Sequence, residues 1–309
     1  MDGPIFLSEV ITVPPGARVS VVSSRIQNPF RAPMLVDEIR YRVISSSSEF
    51  GMLQGFWALR ARHFLGRVPL TQDFVPIGSL AKSLGPTEDT GFPFPPALPT
   101  LGWYTWKLPK PLYVPATELL TTEIFNAAVS NSIFPDETFE IQVSYAARTL
   151  PVDTPPPAKV YVPWACFFEA PSFSEDGFDI VSSTEAHINN PFNEELYVQR
   201  FIGRAIFNWG PPAPGLPVGA AEFNSLFAWT TSRFTTVRAS DSFGRILARD
   251  PIPWTQMFYF PTRSWTVNTK LQPKGFYLFE LTRDYTGIEP PPNSFLISMI
   301  GHREVVYQP

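Results

Sequence analysis

Apolar and polar residues alternate over much of this chain. Phe139-Glu140-Ile141-Gln142-Val143-Ser144-Tyr145 keeps a period of two, and Ile39-Arg40-Tyr41-Arg42-Val43 does the same. Successive side chains of a strand point to opposite faces. The pattern therefore predicts strands with one face in a core and the other in solvent or at an interface. Phe276-Tyr277-Leu278-Phe279-Glu280-Leu281 and Val160-Tyr161-Val162 are more continuously apolar and predict strands covered on both faces. Short runs of this kind, punctuated by Pro and Gly at roughly 8–12-residue spacing, predict sandwiches or barrels. One segment departs from the pattern. From Thr117 to Val129, the apolar residues Leu120, Ile124, Ala127 and Ala128 sit near helical spacing and predict a helix of about three turns. The second half of the chain offers it no counterpart, since Val267 to Gly275 contains Pro273.

The two halves resemble each other. Ile26-Gln27-Asn28-Pro29-Phe30 followed by Met34 to Arg42 recurs as Ile188-Asn189-Asn190-Pro191-Phe192 followed by Leu196 to Arg204, an ungapped offset of 162 residues. Pro135 to Ile141 recurs as Pro291 to Ile297, at an offset of 156. Two pairs in the same order, at nearly the same spacing, indicate a duplicated domain, far longer than a solenoid or propeller repeat. Leu150-Pro151-Val152-Asp153-Thr154-Pro155-Pro156-Pro157 lies between the copies and predicts a stiff, extended linker. The expected division is a first barrel at 1–152, a linker at 153–159 and a second barrel at 160–309. Asn28-Pro29-Phe30 and Asn190-Pro191-Phe192 read as structural corners. Pro fixes the bend and pushes the preceding residue out of the helical region. Phe then enters the core, so Phe192→Ala should cost roughly 3–5 kcal/mol.

Composition sharpens the picture. With 35 Pro in 309 residues, a helical bundle is excluded. Lys+Arg 24 against Asp+Glu 28 leaves none of the basic excess that grips a nucleic-acid backbone. Charged residues are 17% and aromatics 15%, and Arg outnumbers Lys 18 to 6. This fits either extensive protein–protein contact or simply a large core. The three Pro-rich stretches Phe92 to Pro99, Pro211 to Pro217 and Glu289 to Pro292 read as rigid crossings or docking segments rather than ligands for a polyproline reader. A signal peptide is not expected, because Asp2 stands where a basic start belongs, and no apolar stretch is long and smooth enough for a membrane helix.

Candidate chemistry is sparse. The lone Cys166 excludes internal disulfides and Cys-based metal sites, and its neighbours Trp164, Phe167 and Phe168 place it on a buried strand. His63, His187 and His302 are far apart, with no metal-ligand spacing, and no nucleophile elbow or phosphate loop is present. The adjacent carboxylates Asp37-Glu38, Asp136-Glu137 and Glu194-Glu195 would point to opposite faces of a strand, not converge. Glu175 to Asp179 reads as a solvated turn rather than a calcium loop. No cofactor or metal is expected. Arg60, Arg62, His63 and Arg67 form a compact basic cluster. It could meet packaged nucleic acid, anionic lipid or acidic residues of a neighbour, or be a solvated strand face.

A tandem pair of Pro-rich, aromatic-rich antiparallel β-sandwiches without catalytic motifs resembles the double jelly-roll major capsid proteins of adenovirus and the membrane-containing icosahedral phages. The resemblance rests on the duplicated Asn28-Pro29-Phe30 and Asn190-Pro191-Phe192 joined through Pro155-Pro156-Pro157, and by size it is to the compact bacteriophage type. It implies an all-β fold of two tandem eight-stranded antiparallel jelly-roll barrels with few short helices. It also implies a non-enzymatic coat protein forming pseudo-hexameric homotrimers that tile an icosahedral virion shell. The implied partners are other copies, minor capsid or penton proteins and an internal membrane, after synthesis in the host cytoplasm. Two other classes remain open. A carbohydrate- or receptor-binding module could stack sugars on Trp103, Tyr104 and Trp106. A hydrolase would need convergent carboxylates in a cleft.

Overall fold

Period-two burial builds the sheets. In β1 (Ile5–Val13), Ile11 and Val13 are buried while Phe6, Ser8, Val10 and Thr12 face outward. β2 (Val22–Gln27), β3 (Met34–Ser46), β4 (Leu59–Leu65), β5 (Val68–Pro69), β6 (Val75–Pro76), β7 (Lys82–Ser83), β8 (Tyr104–Val114), β9 (Leu119–Asn126) and β10 (Phe139–Thr149) complete the first half. The computed structural model describes residues 4–15, 20–46, 59–80, 82–83, 104–127, 138–170, 181–207, 235–258, 264–284 and 293–306. The Pro-rich stretches 92–99, 211–217 and 289–292, the acidic turn 175–179 and Trp103 lie outside these residues.

One sheet runs β1-β10-β3-β8-β7 and faces a second, β2-β9-β4-β5, with β6 also pairing β4. The second half repeats this. β11 (Lys159–Ala170), β12 (Val181–Asn189), β13 (Leu196–Phe207), β14 (Thr235–Asp241), β15 (Ile246–Pro253), β16 (Ser264–Leu271), β17 (Phe276–Asp284) and β18 (Asn293–Val306) form the sheets β11-β18-β13-β16 and β12-β17-β14-β15. In each half the first strand pairs with the last and the second with the last but one, which is the wrapping of a jelly roll. The chain is a double jelly roll. β10 ends at Thr149 and β11 begins at Lys159. Single-turn helices occur at Ile77–Leu80 and Trp254–Met257.

Two sequence expectations need correction. The helix expected from Thr117 to Val129 is strand β9 over Leu119–Asn126, paired to β2 on one side and β4 on the other. Leu120 and Ile124 are spaced by four, which fits both a helix and the same face of a strand. The polar Thr122 between them, and Asn126 beyond, also point inward, and these hid the alternation. β9 does have a counterpart, β17. The second correction concerns β17 itself. It alternates, with Tyr277, Phe279 and Leu281 buried and Leu278 and Glu280 half-exposed. β11, expected to be covered on both faces at Val160-Tyr161-Val162, leaves Tyr161 39% exposed and is buried on both faces only from Val162 to Cys166, where the other barrel lies against it.

Each barrel has its own core. Trp106, Tyr41, Tyr145 and Phe139 are among the largest buried side chains of the first, and Phe201, Tyr277, Phe279 and Phe295 of the second. Phe139 and Phe295 are the matched residues of the second repeat pair and are 1% and 0% exposed.

Candidate functional site

The duplicated corners are held by their asparagines. Asn28 and Asn190 are each 1% exposed. Asn28 donates from Nδ2 to the carbonyls of Ala32 (3.0 Å) and Pro115 (2.9 Å), and its Oδ1 accepts from the Phe30 N–H at 3.0 Å. Asn190 donates to Glu194 (2.9 Å), Gln272 (3.0 Å) and Leu271 (3.3 Å) and accepts from Phe192 N–H at 3.0 Å. Their main-chain N–H groups donate to Glu118 and Gly275. Each side chain thus closes an Asx turn and ties it to the turn before β9 or β17. Those partner turns match as well: Thr117 and Lys274 both take the left-handed conformation, at φ 64° and 58°. Pro29 and Pro191 stay exposed, and Phe30 and Phe192 are only half-buried. Phe192 packs edge-on against Trp164 at 4.5 Å under the Arg303 guanidinium at 4.0 Å.

The basic cluster of the sequence is dispersed by strand geometry. Arg60 and Arg62 share the outward face of β4, His63 points inward, and Arg67 lies beyond the strand in an exposed turn. Arg62 is ion-paired to Glu123 and lies over the rings of Phe74 (4.5 Å) and Phe64 (5.4 Å). Arg60 reaches the ring of Phe167 in the second barrel, at 5.4 Å. His63 is fully buried. The four residues do not make one cationic surface.

His63 instead centres a polar string through the first core. Its Nε2 contacts the Tyr41 hydroxyl and its Nδ1 the Thr122 hydroxyl at 2.9 Å, and Thr122 in turn meets the Tyr145 hydroxyl at 2.5 Å. The string crosses between the sheets, from β3 and β10 to β4 and β9. Burial pushes the His63 imidazole down to about 3 and raises both tyrosines, Tyr41 additionally through Tyr145. A buried histidine without a carboxylate partner is held neutral in this way. The second barrel has apolar residues in the matching places: Ala239 opposite Phe279 on β14–β17 takes the positions of His63 opposite Thr122. Gly203 takes that of Tyr41, and the Phe258 ring fills the space above it, 2.2 Å from where a Cβ would stand.

The barrels meet along a seam. Ala165, Ile202 and Ile300 point away from the second barrel's core and join the first barrel's cluster, where Phe167, Val160 and Val305 also pack. Main-chain bonds cross it: Gln72 N–H donates to the Ala165 carbonyl (2.9 Å) and Ala165 N–H to the Leu70 carbonyl (3.2 Å). The helix Ile77–Leu80 lies against β13 and β18, and β8 against β11. Lys110 adds a cation over the Tyr161 ring at 5.7 Å. The sequence reading missed this seam, although one signal points to it: burial-grade residues on both parities in Trp164 to Phe168 and Phe295 to Ile300.

Catalytic geometry does not assemble among the described residues. They contain no group of three or more His, Cys, Asp or Glu placed to hold a metal ion. Cys166 is buried and its thiol is pushed up to about 12 by desolvation, so it is not a thiolate nucleophile. A shallow groove on the outer face of the second barrel is lined by Glu185, Glu280 and Arg238. The two carboxylates are cross-strand neighbours on an open sheet, with Arg238 3.5 Å from Glu280, rather than walls of a cleft. Tyr104 and Trp106 are 7% and 0% exposed, so neither can stack on a sugar. No described helix is long and apolar enough to cross a membrane.

No family model matches the chain. No curated protein matches it either. Among solved structures it is similar to a quasi-atomic model of the PBCV-1 virus capsid, at 10% identity and TM-score 0.50, covering 98% of this chain and 95% of that one. It also matches PBCV-1 VP54 fitted into a reconstruction of the virophage Sputnik, at 8% identity and TM-score 0.45, over 97% of this chain and 94% of that one. The Sputnik virophage structure itself aligns at 7% identity and TM-score 0.32, over 96% of this chain and 86% of that one. At 10% identity the first likeness establishes a shared double-barrel fold, end to end.

Proposed function

We propose that this chain is a structural major capsid protein whose homotrimers, pseudo-hexagonal in outline, tile an icosahedral virion shell. The observation that supports it best is the match of both fused barrels, over almost the whole chain, to the PBCV-1 virus capsid. The physics agrees. Two similar barrels side by side, repeated three times, give six similar flanks, and such a unit packs against neighbours in a hexagonal lattice. In this reading the barrels are 1–152 and 160–309, with 153–159 as the tether. The chain is not an enzyme and takes no cofactor. Its partners are its own copies, with minor capsid or penton proteins and an internal membrane as further neighbours. It acts in the virion, after synthesis in the host cytoplasm. The carbohydrate-binding alternative loses support because Tyr104 and Trp106 belong to the core.

Light scattering on a size-exclusion peak, followed by negative-stain imaging, tests the reading. The expected result is a particle of three chains with a hexagonal outline, or larger shells. A monomer at micromolar concentration would overturn it and send the chain to glycan screening.

A further inference from the structure

At one end of the seam the apolar layer gives way to a group of rings. His302 lies on β18 two residues beyond Ile300, so it shares the face that meets the first barrel. Its strand neighbours are Tyr197 on β13 and Pro163 on β11. The Tyr197 ring stacks on the imidazole, 5.2 Å away and 9° from parallel. The Tyr161 ring meets the imidazole edge-on at 5.5 Å. The first barrel completes the group: Lys110 of β8 sets its ammonium 5.7 Å from the centre of the Tyr161 ring.

The charges around His302 come from every strand packed on it. β8 brings Lys110. On β11, Lys159 is ion-paired to Glu304 of β18 at 2.5 Å. On β16, Lys270 stands 4.8 Å from the centre of the Tyr197 ring and pairs with Glu195 at 2.9 Å. Arg200 of β13 lies opposite Ile300, and Arg303 turns to the other face, over Phe192. Glu304, which favours an imidazolium, is thus already engaged, while Lys110 opposes one. The Nδ1 of His302 is buried without a hydrogen-bond partner. An imidazolium must donate from both ring nitrogens, so it would leave one N–H unmet. Burial, then Lys110, lowers the proton affinity of His302 below its ordinary value.

We infer that His302 is an acid-sensitive latch between the two barrels of one chain: as a neutral ring it completes the stack that fits the second barrel to Lys110, and as a cation it loosens the seam. The sign follows from the charges. In the loosened state the imidazole meets water and takes its proton at an ordinary pKa of about 6.5. In the closed state it takes one less readily, so the closed state binds fewer protons. The latch is whole above pH 6.5 and weakens as pH falls below it. The open-to-closed ratio rises by up to about tenfold per pH unit. Loosening also strains the Gln72–Ala165 and Ala165–Leu70 main-chain bonds, which cross the same seam. The device lies within a single chain and does not depend on the shell reading above.

The amides of Gln72 and Ala165 donate across the seam and report its opening. Their hydrogen exchange is measured on the full chain at pH 7.5 and pH 5.5, resolved to single amides by fragmentation mass spectrometry and corrected for the intrinsic pH dependence of exchange. Between the two values the wild type should lose protection at both amides by up to about tenfold. His302→Phe keeps a ring in the stack but does not titrate, so its protection should stay constant. Lys110→Gln removes the opposing cation and should shrink the loss. His63→Gln, which removes the titrating group of the first core, should leave the loss in place and so separates seam opening from the stability of that core. Circular dichroism checks that each variant folds. Equal protection in the wild type at both pH values would overturn the inference. So would a folded His302→Phe that loses protection as the wild type does. If His302→Phe does not fold, Lys110→Gln decides, and a loss as large as that of the wild type would overturn the latch. None of these outcomes bears on whether the chain forms a shell.

Discussion

Asn28 and Asn190 show how much of a corner one side chain can carry. Each satisfies main-chain groups from two separate turns while almost fully buried. Removing it strands those groups without water, at about 1–3 kcal/mol for each unsatisfied one. Asn190→Ala should therefore lower unfolding stability by about 3 kcal/mol in a urea titration, and Asn190→Asp by no less, because a carboxylate cannot donate to those carbonyls. Phe192, expected from the sequence to enter the core, is half-buried instead. Phe192→Ala should cost about 2 kcal/mol, below the roughly 3–5 of a fully buried ring. His63 gives a pH dependence of definite sign. Its folded-state value of about 3 lies below the ordinary 6.5, so the folded chain binds fewer protons than the unfolded one. The contribution is whole above pH 6.5 and is lost as pH falls from there towards 3, at up to about 1.4 kcal/mol per unit. Chemical denaturation between pH 7 and pH 4 should show this slope. His63→Gln, which keeps a hydrogen-bonding side chain but does not titrate, should flatten it.

Strands were legible in the sequence wherever polarity followed burial, as in β10 and β3. They were illegible where the core itself is polar. Thr122 and Asn126 face inward on β9, and a reader of alternation sees a broken pattern there. The corners were legible as corners, but the reason given for them was Pro29 and Pro191, whereas the bonds belong to the asparagines. The basic cluster failed for a related reason: sequence proximity on a strand does not put residues on one face. Gly203 is a case where sequence is silent and packing is not. A methyl group there would overlap the Phe258 ring. Gly203→Ala should cost about 1–3 kcal/mol by overpacking, and combining it with Phe258→Leu should recover part of the loss in a thermal melt.

Across the whole molecule, the seam couples two domains that each own a core. Ile300 is fully buried between them. Ile300→Asp would place an unpaired carboxylate there. Differential scanning calorimetry should then resolve two transitions where the wild type shows one, because each barrel keeps its own core while losing its neighbour. The duplication was legible in the sequence from short matches at nearly constant offset. The mutual fit of the halves was not, since it depends on which face of β11 is apolar, and β11 is apolar on both. The seam also bears on the tether between Thr149 and Lys159. The two halves are held by main-chain bonds and a shared apolar layer, not by the covalent link, so a protease nick at exposed Val152 should leave them together. What the link adds is stoichiometry. The two barrels have diverged, one around a histidine and the other around rings packed edge to face. A single open reading frame guarantees that every assembling unit receives one of each, in a fixed order, from one ribosome.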